Sequence, residues 1–371
     1  MVYQYWLLAL RILVLDAAQG VVAIPGSHAR KSNPSPPGLH VLPLIEDNSD
    51  DYHSWIAEVA AGTPPQKMKL TVDIAKSTTW FISDKTFAEC DGCNDGYYQL
   101  NKSKTSSPIL GHTAISYGDP TTYPPTFLNK SLVFSTPTRM NSPELVGLHL
   151  APMWNMDMHR GRSTALSWTI SLQRKRLRAA PTVLTYTSTV LSQASPSVLL
   201  SEPSIVLTGL RQTVLKGKSH ASEVTTYEVH KNDSVFLLDS ANQYLRFRHS
   251  FVDPLYKTLG AVNDGHDAYF VPCEKRNMPG SWDFQFGDVT IKIPYNKIIT
   301  NQSDDRGKTC WVGVLTTWKG QLVLGQPFLE AAYLAFDLDN KQVALAPPAN
   351  CGEKLVAFGS GPNAIPNLKG C

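Results

Sequence analysis

From Tyr52 onward, short apolar runs alternate with clusters of Gly, Pro, Asn and Asp. They read WIAEVAAGTPPQ (55–66), MKLTVDI (68–74), TTWFIS (78–83), HTAISYGDP (112–120) and SLVFS (131–135). Runs this short, rich in β-branched and aromatic residues and bounded by turn formers, predict many short strands and hence an all-β architecture. Gly62-Thr63-Pro64-Pro65 predicts a firm turn, because proline sets its own φ and pushes the preceding residue out of the helical region.

The second half repeats the plan: PSIVLTGL (203–210), VFLLDSANQY (235–244), FQFGDVTIKIPY (284–295), QLVLGQPFL (321–329) and YLAFDLDNKQVALA (333–346). The Asp337–Asn340 patch between two apolar runs predicts a hairpin turn. Leu70–Trp80 and Val235–Leu245 each run an apolar strand into a single aspartate, Asp73 and Asp239, followed by a small-residue turn: Asp-Ile-Ala and Asp-Ser-Ala. Each half then carries an apolar pair and a glycine, Leu145-Val146-Gly147 and Val323-Leu324-Gly325. This imperfect repeat predicts two related lobes. Between them, residues 159–200 are irregular and Ser/Thr-rich. The basic run Arg174-Lys175-Arg176-Leu177-Arg178 reads as a solvated face, with a processing site or anionic patch as the alternative.

The length, 371 residues, fits two domains, and 18% charged residues is low enough for a sizeable core. A net charge of +3 is too slight to imply a nucleic-acid or membrane-surface partner. Trp6–Val14 is a short apolar run followed by Ala17, Ala18 and Ala23, the shape of a secretory signal; Arg11 interrupts it and no basic residue precedes it. The expected boundaries are a signal at 1–23, a Pro-rich entry or short pro-segment at 24–50 containing Arg30-Lys31, a first lobe at 51–202, a second at 203–351 and a tail at 352–371. Six cysteines, Cys90, Cys93, Cys273, Cys310, Cys351 and Cys371, are an even count that suits disulfides in an exported chain. Cys90-x-x-Cys93 has no second Cys/His pair at zinc-ligand spacing, so no metal site is expected. Sequons at Asn101, Asn129, Asn232 and Asn301 suit surface glycosylation. His53, His112 and His249 have no metal spacing, and no His-Glu-x-x-His, phosphate loop or Gly-x-Ser-x-Gly elbow is present. No cofactor is expected.

Together these segments resemble the pepsin-like aspartic proteases, most closely their secreted fungal members, from about Tyr52 to Cys351. VLGQPFLEAAYLAFDLDNKQVALAPPANC (323–351) and AAGTPPQKMKLTVDIAKSTTWFIS (60–83) carry the resemblance most specifically, while residues 120–200 match poorly. The resemblance implies a mostly β, bilobal fold with a cleft between the lobes. It implies Asp73 and Asp239 as a catalytic dyad, Tyr117-Gly118 on a substrate-covering flap and Trp80 as its support. It also implies a Cys273–Cys310 disulfide and a shortened Cys90–Cys93 one, leaving Cys351 and Cys371 to bracket the tail. The expected partner is a peptide or unfolded protein in the cleft, bound by a secreted monomer without a stable membrane anchor.

Such a dyad works by sharing one proton, since two like charges about 3 Å apart do not both ionise. One carboxylate then takes a proton from water while the other donates to the carbonyl oxygen. The chain departs from the family at the turns. Ala75 and Ala241 stand where the family has glycine, a residue that permits close approach and unusual φ/ψ. Ser240 keeps a hydroxyl able to donate across to the other turn, whereas Ile74 has none. Lys76 stands where the family has a hydroxyl. Facing the dyad at ~4 Å and an effective dielectric of about 20, its ammonium would be worth roughly 4 kcal/mol, enough to strip the shared proton; its long stem also lets it reach solvent instead. Asn242 is a polar replacement in the second turn. Pro120, Pro124 and Pro125 stiffen the flap tip. Two functions are therefore carried forward: an acid endopeptidase with reduced or lost activity, and an inactive relative that binds peptides or proteins.

Overall fold

The computed structural model describes residues 44–47, 54–75, 96–104, 147–148, 167–170, 176–177, 182–185, 187–189, 202–216, 221–265, 268–303, 308–337, 340–349 and 361–365. They fall into two compact units, and strands dominate both.

The first unit is built on a four-stranded sheet in the order Leu44–Asp47, Ser54–Ala61, Gln66–Val72, Gly147–Leu148. Met68, Leu70 and Val72 alternate with Lys67, Lys69 and Thr71, so one face of the strand is buried and the other meets water. The predicted turn joins the second and third strands in antiparallel register, Ala61 opposite Gln66, with a cis Thr63–Pro64 bond. Gly62 has φ 84°, and a Cβ there would lie 2.7 Å from the Tyr98 hydroxyl, so both backbone and space call for glycine.

The second unit contains a six-stranded sheet ordered Val314–Thr316, Leu245–Phe247, Val323–Leu324, Val235–Leu238, Glu202–Val206, Thr187–Thr189. Val235–Leu238 runs parallel to Val323–Leu324 and antiparallel to Glu202–Val206. Its residues Phe236, Leu237 and Leu238 are all buried, which is why this segment reads as a continuous apolar run rather than an alternation. Phe247 is the hub of the core: its ring lies 4.6 Å from Phe236, 4.9 Å from Trp282 and 5.6 Å from Phe284. A second sheet pairs Gly209–Lys216 with both Ala221–Tyr227 and Gly280–Phe286, and the latter with Val289–Pro294. In a third, Tyr333–Asp337 turns back into Gln342–Ala346. Asp337 closes this turn by accepting from Asn340 N–H at 3.1 Å and from its side-chain amide at 2.7 Å, as the Asp/Asn patch predicts.

The strand rhythm leaves out one long helix, His249–Leu259. Phe251, Val252, Leu255, Tyr256 and Leu259 make its buried stripe, and Gly260 ends it in the left-handed region. Cys273 and Cys310 form a disulfide beside the pair Val271–Cys310. No helix among the described residues is long and apolar enough to cross a membrane.

Candidate active site

The two aspartate turns are built alike. Each lies at the C-terminal end of an apolar strand whose burial anchors the backbone up to the aspartate: Met68, Leu70 and Val72 before Asp73, and Phe236, Leu237 and Leu238 before Asp239. In each turn the carboxylate bends back to accept the N–H of the residue two positions on. Ala75 N–H donates to Asp73 Oδ1 at 2.8 Å, and Ala241 N–H to Asp239 Oδ1 at 3.0 Å. A backbone donor on a carboxylate favours its charged form and fixes its direction. Asp73 is only 2% exposed, while Asp239 is partly buried.

Residues 73–75 cluster with the second unit, and a hydrogen bond ties the turns together there. Ile74 N–H donates to Ser240 Oγ at 3.0 Å. Ser240 is thus an acceptor in this bond, whereas the sequence suggested a donor. This bond does not depend on the isoleucine side chain, because the backbone supplies the proton.

Neither alanine sits at positive φ. Among the described non-glycine residues only Lys341 has positive φ, so Ala75 and Ala241 do not occupy the region that favours glycine. Ala75 is 4% exposed and so is itself part of the packing. Of the two things glycine permits, close approach and unusual φ, the unusual φ is not used at either position.

The glycine that close approach does demand lies elsewhere. A Cβ on Gly325 would sit 2.1 Å from Tyr244 O and 2.4 Å from Asn242 O, well inside any tolerable contact. Gly325 thus lets the Val323–Leu324 strand end press on the Asp239 turn. Leu324 O accepts from Asp239 N–H at 3.2 Å, and Asn242 O accepts from Gln326 N–H at 2.8 Å. Asn242 Oδ1 accepts from Tyr244 N–H at 3.1 Å, which holds the exit of the turn. Gln326 adds a side-chain contact, Nε2 to Ser240 O at 3.3 Å. The sequence reading passed over Gln326; its place directly after the apolar pair and glycine was the available signal.

Of the other residues singled out, Asn101 and Asn232 are exposed, each in a short 3-10 turn, and Asn301 lies in the strand Ile299–Ser303. Lys76, Trp80, Tyr117, Gly118, Asn129, Cys90, Cys93, Cys351 and Cys371 lie outside the described residues, as do the N-terminal apolar run, Arg30-Lys31 and the prolines after the flap position.

A mostly β fold among the described residues, with two strand-borne aspartate turns, one braced by an apolar pair and glycine, defines a pepsin-like protein. The family model for eukaryotic aspartyl protease matches residues 54–129 and 204–348, more than half of the chain, and the chain belongs to that family. The family's fold is mostly β and bilobal. An acid protease from Saccharomycopsis fibuligera is 21% identical over 331 residues, covering 80% of this chain and 81% of that protein. Secreted aspartic protease 6 from Candida albicans is 22% identical over 340 residues, 82% of this chain and 78% of that protein. Barrierpepsin from Saccharomyces cerevisiae is 31% identical over a shorter stretch of 111 residues, 30% of this chain and 19% of that protein.

Proposed function

We propose that this chain is a secreted endopeptidase working at acid pH, with Asp73 and Asp239 as the dyad and an extended peptide or unfolded protein as substrate. The observation that carries the reading is the hydrogen bond between Ile74 and Ser240, joining two turns that each present a carboxylate braced by a backbone N–H. With alanine in place of both motif glycines the turns are still hydrogen-bonded and need no positive φ there, which supports function through the shared-proton chemistry of the family. Secretion rests on the apolar N-terminal run and on a relative that is named as a secreted aspartic protease. Tyr117 on a flap over the substrate and the sequons as glycan acceptors belong to the same reading.

The direction of the Lys76 side chain bears on the working pH in this reading. An ammonium beside the pair lowers the pH at which one proton is shared, so Lys76→Ser raises turnover at mildly acidic pH. A lysine directed to solvent leaves the profile unchanged.

The decisive experiment is cleavage of a reduced and alkylated protein substrate between pH 3 and 7, comparing the wild type with Asp73→Asn. Turnover in the wild type that the substitution abolishes is the expected result. Equal, near-zero rates overturn the endopeptidase reading and leave a peptide-binding role on the same scaffold.

A further inference from the structure

We propose that Gln326 is a positioning residue for the Asp239 carboxylate, acting through the single peptide group that joins Ser240 to Ala241. The two ends of that peptide are engaged separately. Its carbonyl, Ser240 O, accepts from Gln326 Nε2 at 3.3 Å, and its N–H, on Ala241, donates to Asp239 Oδ1 at 3.0 Å. A peptide is planar and holds its C=O and N–H in opposed directions. A donor that pins the oxygen therefore also aims the hydrogen at the carboxylate. It polarises the group as well, and so strengthens the N–H as a donor.

The anchor itself is well held. Gln326 is 2% exposed, its backbone N–H is tied to Asn242 O at 2.8 Å, and its neighbour Gly325 lies against the carbonyls of Asn242 and Tyr244. The two bonds that Gln326 donates thus fall on the Asp239 turn, to residues 240 and 242. Its Oε1 is buried and has no partner among the described residues. A buried amide kept with an unpaired oxygen is a poor device for stability, because the uncompensated carbonyl offsets what the Nε2 bond contributes. Its effect falls on the direction of the peptide. Ser240 also receives the Ile74 N–H, so the peptide that Gln326 steadies begins at the residue linking the two aspartate turns.

The kinetic part of this inference rests on the endopeptidase reading, and the structural part does not. The test uses the full chain as wild type, Gln326→Met and Gln326→Glu. The carboxyl titration of Asp239 is followed by carbon NMR and assigned by its loss in Asp239→Asn. Methionine keeps the shape but removes the donor, so the Asp239 titration moves up by about half a pH unit while the urea midpoint stays in place. Glutamate donates to Ser240 O only while protonated; that variant follows the wild type at low pH and, once it ionises, departs further than the methionine variant, because a negative charge then faces Ser240 O and Asp239. In turnover, Gln326→Met lowers kcat on the order of 10-fold with KM little changed. An unmoved Asp239 titration in both variants, or one that moves only together with the urea midpoint, overturns the proposal. If the wild type cleaves nothing, the endopeptidase reading fails and the NMR titration still decides the role of Gln326.

Discussion

Ile74 and Ser240 stand 166 positions apart in the chain, and the N–H of the first donates to the hydroxyl oxygen of the second at 3.0 Å. The bond links the turns that carry Asp73 and Asp239, and it needs a hydroxyl on one side only. Ser240 is 2% exposed, so the bond is shielded from water on that side. A chain that lost the hydroxyl of one turn has therefore kept a working connection through the other.

Removing that oxygen is expected to be costly. Ser240→Ala leaves the Ile74 N–H without this acceptor, at about 1–2 kcal/mol by analogy with other buried bonds. Ser240→Thr retains the oxygen and most of the stability. Urea unfolding of the three proteins compares the effects, and a loss of peptide cleavage in the alanine variant alone would accompany it. Equal midpoints would show that the bond contributes nothing.

Restoring the motif glycines is expected not to restore activity. Ala75 and Ala241 have no positive φ to relieve, so Ala75→Gly and Ala241→Gly chiefly widen the conformational freedom of the unfolded chain. Each costs roughly 0.5–1 kcal/mol in melting experiments and leaves kcat/KM within about twofold. A large rise in turnover would mean that the methyl groups hold the carboxylates apart.

The second unit should unfold at high pH through two tyrosines. Burial holds the Tyr227 hydroxyl well above its ordinary value, with the nearby Tyr295 adding to it. Burial also pushes Tyr295 up to about 12; the Gln212 hydrogen bond pulls it down, and the charge of Asp283 pushes it up. In the unfolded chain both ionise near pH 10. Their contribution to stability is therefore complete below about pH 10 and is lost as the pH climbs toward 12, because only the unfolded state releases the protons there. Denaturant midpoints between pH 9 and 12 should fall steeply in the wild type and less so in Tyr295→Phe. Between pH 3 and 7 the two proteins should share one slope.

The Cys273–Cys310 bond closes a loop with a sequence separation of 37. The chain-entropy estimate for a loop of this length is roughly 4 kcal/mol, with engineered bonds often delivering less. Cys273→Ala with Cys310→Ala should lower the urea midpoint accordingly. An unchanged midpoint would place the stability of this unit in its aromatic core instead, around Phe247.

Lys297 pairs with Glu330, whose side chain is only 4% exposed, while the lysine remains 35% exposed. Lys297→Met takes a charged partner from a buried carboxylate, at about 2 kcal/mol once the partial exposure of the lysine is allowed for. Replacing both residues with apolar ones should cost less than replacing the lysine alone. A double-mutant cycle by thermal unfolding reads the difference, and additive losses would rule out a coupled pair.

Much of the strand layout was legible from the order of residues alone. The alternation in Gln66–Val72, the continuous apolar run before Asp239 and the Asp337–Asn340 turn each follow from local burial and turn chemistry. The helix His249–Leu259 was passed over, although its buried stripe has helical spacing, because the surrounding strand rhythm dominated the reading. Within the candidate site, the two aspartates and Ser240 were visible in their motifs. Gln326 was not, since its importance comes from two bonds to residues more than eighty positions away.

The sequence by itself determined the family, the mostly β character and the two aspartates, because those depend on residue type and on spacing along the chain. Only the tertiary structure decided whether the altered turns still work as turns. Two questions required distance and backbone angle: whether alanine sits at positive φ at positions 75 and 241, and where the backbone N–H of Ile74 finds its acceptor. Both answers depend on segments far apart in the chain being held within hydrogen-bonding reach. Hydrogen bonds act over about 3 Å, and no local pattern records which distant atom fills that reach.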